Sequence, residues 1–71
     1  MPKERIEFLE ELAEKFDGDK ALFWAGQMSN AAGALLVSSL PYIGKHARLL
    51  DHCRKRYDDE IVAALEKKRA N

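Results

Sequence analysis

Three features of the sequence predict an all-α fold. Apolar residues recur at three- and four-residue steps through the first and last thirds of the chain, and the middle third is apolar or small on every side. Turn-forming residues cluster at two places, 17–19 and 40–44. Together they predict one domain over residues 1–71, a helical hairpin plus a longer third helix, with helices over about 3–16, 20–40 and 43–68.

In the first helix Ile6, Leu9, Ala13 and Phe16 form the apolar stripe, and Phe8 and Leu12 widen it. Pro2 suits its first turn, where a missing N–H loses no bond, and Glu4 and Glu7 suit its positive end. Gly18 is expected as a left-handed C-terminal stop and Asp19 as the N-cap of the next helix, so 17–19 reads as a tight turn between antiparallel helices.

In the second helix Phe23, Trp24, Leu35, Leu36, Val37 and Leu40 do not collect on one stripe, the pattern of a helix surrounded by protein or lipid. Ala21, Ala25, Ser29 and Gly33 follow at four-residue steps, with Gly26 and Ala32 beside them, so another backbone can approach closely. A glycine inside a helix costs roughly 1 kcal/mol relative to alanine, and close packing would offset it. The expectation is a homodimer or small helical-bundle oligomer assembled through this helix.

Pro41 and Gly44 are expected to place a turn or kink over 40–44. Beyond it Ile43, Ala47, Leu50, Cys53, Tyr57, Ile61 and Ala64 or Leu65 keep helical spacing, and Lys67, Lys68 and Arg69 sit where the negative end of the helix dipole favours cations.

Composition narrows the function. A chain of 71 residues buries only roughly 60% of the surface its unfolded state exposes, so a monomer is marginal without a staple or a partner. The single cysteine, Cys53, excludes an intramolecular disulfide, and a reducing cytoplasm is the expected compartment. Net charge is zero but unevenly spread. Residues 1–20 hold seven acids against four bases, residues 21–44 hold no charge, and residues 45–71 hold eight bases against five acids. The two ends are therefore expected to lie side by side, within one chain or across a dimer. A nucleic-acid-binding domain more often has an overall basic balance.

Catalysis finds no support in the motifs. Ser29, Ser38, Ser39 and two histidines lack an elbow or triad context, and there is no glycine-rich phosphate loop. His46, His52 and Cys53 are metal-ligand types, but separations of six and one do not share a helix face, so no metal or other cofactor is expected. Residues 21–44 are long enough to span a membrane, yet Gln27, Ser29, Asn30, Ser38, Ser39 and Pro41 make them too polar for it.

A non-enzymatic protein–protein interaction module is the function these features favour: a small adaptor, inhibitor or regulator, of a kind that phages and mobile elements encode, binding itself and another protein. Phe23, Trp24 and Tyr42 are its candidate anchors because aromatic side chains dominate hot spots, and Gln27 and Asn30 are polar contacts that could set register. The alternative is an oligomeric module for a small anionic ligand such as a nucleotide, held by Lys45, His46 and Arg48 beside those amides. A third reading, weak nucleic-acid binding by the basic segment 45–56, is opposed by charge pairing one turn on: Arg54–Asp58, Lys55–Asp59, Arg56–Glu60 and Asp51–Lys55 all stand at i,i+4.

Overall fold

The computed structural model describes residues 4–70. Three helices follow in order, α1 (Arg5–Lys15), α2 (Lys20–Val37) and α3 (Leu40–Ala70), and the described residues contain no strand. Pro2 lies outside the described residues.

The chain leaves α1 at Phe16 in an extended conformation, with the Phe16 N–H donating to the Ala13 carbonyl at 3.2 Å. Lys20 Nζ donates to the same carbonyl and so satisfies an acceptor that the helix end leaves open. Gly18 is not the left-handed stop that the sequence suggests, since no glycine has a positive φ. A Cβ at Gly18 would lie 3.1 Å from the edge of the Phe16 ring, so a side chain there makes the ring shift by a few tenths of an ångström. Asp19 caps α2 as expected, its carboxylate accepting from the Ala21 N–H at 2.9 Å.

The second turn falls earlier than 40–44. α2 ends at Val37, Ser38 is extended with ψ 148°, and α3 opens at Leu40 with the Tyr42 N–H bonded to the Ser39 carbonyl at 3.0 Å. Pro41 therefore stands in the first turn of α3, where an N–H would have no helical acceptor, and it starts the helix instead of breaking it. Gly44 lies inside α3 with open space around it.

α2 and α3 form an antiparallel hairpin, and α1 lies against both. At 31 residues α3 is about 46 Å long. The molecule measures 48 × 26 × 14 Å, a flat slab with α3 as its long edge. Leu9 and Ala13 of α1, Trp24 of α2 and Cys53 of α3 form the buried centre, with Phe23, Met28, Leu49 and Tyr57 packed around it, and Ala31 is buried as well. Within one chain α2 is not buried on every side: Leu22 is 70% exposed, Leu36 87% and Val37 86%.

The acidic first segment and basic last segment do meet, at one point. Glu10 Oε2 lies 2.9 Å from Arg56 Nε and 2.7 Å from His52 Nε2, both donors toward a carboxylate. Of the expected pairs within α3, Arg54–Asp58 at 3.5 Å and Arg56–Glu60 at 3.8 Å are made, and Arg54 also reaches Asp51 at 3.0 Å.

Candidate functional site

At 11 residues α1 is shorter than either helix of the hairpin, and beside its first turn a cavity of about 690 Å³ opens between the three helices. Its floor is apolar, with Leu9 and Ala31 buried and Ala34 and Leu49 half-buried. Its rim is cationic and polar. Lys45, His46 and Arg48 come from α3, Gln27 and Asn30 from α2, and Arg5 and Glu4 from the start of α1. The folded chain thus joins two groups of residues that the sequence singled out separately, the α2 amides and the α3 cations.

Neither Lys45 nor Arg48 has an ion pair or hydrogen bond among the described residues, and the amides of Gln27 and Asn30 have no side-chain hydrogen bond there. Arg5 stacks on Phe8, its guanidinium carbon 5.8 Å from the ring centroid. With Glu4 as the one carboxylate on the rim, three permanent cations leave the cavity mouth net positive.

Sequence reasoning missed Arg5. Arg5 and Lys45 are far apart in sequence, and only the docking of α1 brings them to one rim. Within the acidic first segment Arg5 lies between Glu4 and Glu7, and nothing local marks it as a site residue.

The aromatic anchors fare differently. Trp24 has no exposed surface and is a core residue, so it does not serve as a surface anchor: Phe23 meets it edge-on at 5.1 Å, His52 at 5.9 Å, and Arg56 covers its face at 5.4 Å. Its Nε1 is buried without a hydrogen-bond partner. Phe23 is half-buried and packs on Phe16 at 5.3 Å. Tyr42 alone of the three is open to solvent, at 57%. It belongs with Leu36, Val37, Leu40 and Ile43 to the uncharged, exposed end of the hairpin.

Cys53 is buried, and loss of solvation pushes its thiol above the ordinary 9.0, with smaller opposing effects from Arg5, which lowers it, and Glu10, which raises it. A neutral buried thiol is a poor nucleophile. Among the described residues no group of three or more His, Cys, Asp or Glu side chains is placed to hold a metal ion, and no helix is long and apolar enough to cross a membrane. Neither a family model, nor a curated protein, nor a solved structure shows significant similarity to the chain.

Proposed function

We propose that the chain is a non-enzymatic protein–protein interaction module whose first partner is a second copy of itself, packed along the outward face of α2. The observation that carries this reading is an exposed seam without a single charge. Leu22, Gly26, Ser29, Gly33 and Leu36 follow at steps of four and three, a heptad pattern, and all five are exposed. Nothing approaches within 4 Å of where a Cβ would stand on Gly26 or Gly33.

The seam is self-complementary. In an antiparallel pairing about a two-fold axis at Ser29, Leu22 meets Leu36 of the second copy and Gly26 falls beside its Gly33, so leucines flank a close glycine contact at the centre. Surface area supports such a partner. The chain exposes 5661 Å², whereas a compact monomer of its mass exposes about 4,500 Å². The excess is of the order of the ~800 Å² that one protomer gives to a standard interface. Tyr42, Leu40 and Ile43 at the hairpin end, and Ile61, Val62 and Leu65 on the far end of α3, remain as apolar surface for a different protein.

Sedimentation velocity tests the pairing. Wild type is expected as a dimer at tens of micromolar, and Leu36→Glu, at a position exposed in the single chain, as a monomer with unchanged helicity by circular dichroism. A wild type that stays monomeric at ~100 μM would remove the seam as an interface.

A further inference from the structure

We infer that the cavity beside the first turn of α1 binds a small amphiphilic anion, a carboxylate or phosphate head on an aliphatic body. Three features of the site lead to this ligand class. Arg5, Lys45 and Arg48 bring three permanent positive charges to one rim from two different helices, and neither Lys45 nor Arg48 is neutralised by an acid among the described residues. Glu4 is the one carboxylate on the rim and offsets only one of the three charges. The like charges that remain repel one another, and an anionic head relieves that repulsion while accepting charge-assisted hydrogen bonds. The amides of Gln27 and Asn30 add donors on the opposite wall.

Below the rim the chemistry changes. Leu9, Ala31, Ala34 and Leu49 present hydrocarbon, so the floor suits methylene groups and offers nothing to a polar ring. The described lining contains no Phe, Tyr or Trp, and its one aromatic ring, the His46 imidazole, belongs to the rim and not to the aliphatic floor, which favours a hydrocarbon body over a nucleobase there. A volume near 690 Å³ is within the ~300–1,000 Å³ of small-molecule sites and exceeds what a bare phosphate needs. Three helices contribute to the walls, so a ligand seated there contacts α1 and the hairpin at once and stabilises their docked arrangement by mass action.

The test uses the full chain with decanoate below its micellar concentration, compared with decanol, decyltrimethylammonium and inorganic phosphate. The expected result is saturable binding of one decanoate per chain by calorimetry, with a rise in Tm that decanol and the cationic amphiphile do not reproduce. Charge reversal at Lys45 and Arg48 (K45E with R48E), both exposed, should weaken decanoate at least tenfold with the fold intact. Ala34→Phe should block the floor while leaving the rim charges in place. Anionic vesicles supplied in place of free decanoate distinguish a membrane lipid from a free amphiphile: binding to vesicles that survives Ala34→Phe locates the interaction at the surface and overturns the cavity assignment. Equal responses to all three amphiphiles, or no binding at millimolar decanoate, overturn it as well. None of these outcomes depends on the dimer, since L36E can carry the same titrations as a monomer.

Discussion

Arg56 reaches a carboxylate of α1, two acids of its own helix and the face of a tryptophan in α2. Glu10 is more than a third exposed at its side chain, so its ion pair is screened and contributes up to about 1 kcal/mol at most. The stacking on Trp24 and the burial of the Arg56 stem add to it, because a guanidinium over an indole is worth about 0.5–1 kcal/mol at partly open sites. Of its partners within α3, Glu60 was legible from i,i+4 spacing, whereas Asp59, expected opposite Lys55, pairs with Arg56 at i,i+3. The contact to Glu10 was not legible, because 46 residues separate the two and no local pattern carries that distance. Cys53 gives the sharpest expectation at this scale. Its folded thiol titrates above the ordinary 9.0, so the folded state favours the protonated form. That contribution to stability is complete below pH ~9 and is lost as pH rises through the folded value. Urea unfolding at pH 7 and pH 10 should therefore show a drop in wild type that is smaller in Cys53→Ala, and a thiol reagent should label native Cys53 only as fast as the chain opens.

Glycines show at the level of elements how a helix and an interface make opposite demands. Gly26, Gly33 and Gly44 all stand inside helices with no neighbour near a Cβ. In an isolated chain each replacement by alanine should stabilise by about 0.5–1 kcal/mol through helix propensity. Gly44→Ala is expected to keep that gain at every protein concentration. Gly26→Ala and Gly33→Ala should gain it at low concentration and lose it at high concentration, where the added methyls hold two backbones apart, and thermal unfolding across a hundredfold concentration range distinguishes the three. The existence and order of the helices were legible in the sequence, since apolar spacing and the Asp19 cap act locally. The boundary at 38–39 was misread because proline is compatible with a first turn and incompatible with an interior one, and composition alone does not say which turn it occupies. Gly18 stands at the turn as expected, but without the left-handed backbone; what a side chain would meet there is the edge of the Phe16 ring.

The whole molecule is extended for its size, with a radius of gyration of 13.8 Å where a compact chain of this length has about 11 Å. A single layer of helices 14 Å thick cannot enclose many side chains, which is why only five apolar residues among those described are buried. Stability is then expected to depend on assembly, so the Tm of wild type should rise with protein concentration and that of Leu36→Glu should not. Of the candidate site, the residue types were legible and their grouping was not. The α3 cations stood out as a basic group and the α2 amides as polar residues on an apolar helix, but their meeting around one cavity depends on how the hairpin aligns and where α1 stops.

The two-residue connection at Ser38 and Ser39 has a kinetic consequence. It joins the two helices that share most of the interhelical contact, whereas α1 rests on them chiefly through Leu9 and Ala13. Contacts close in sequence form early, because little loop entropy is lost in making them. The hairpin is therefore expected to assemble first, with α1 folding down onto it afterwards. Arg5 and Glu4 arrive with α1, so the cavity is expected to form last during folding and to vanish first when the chain begins to open.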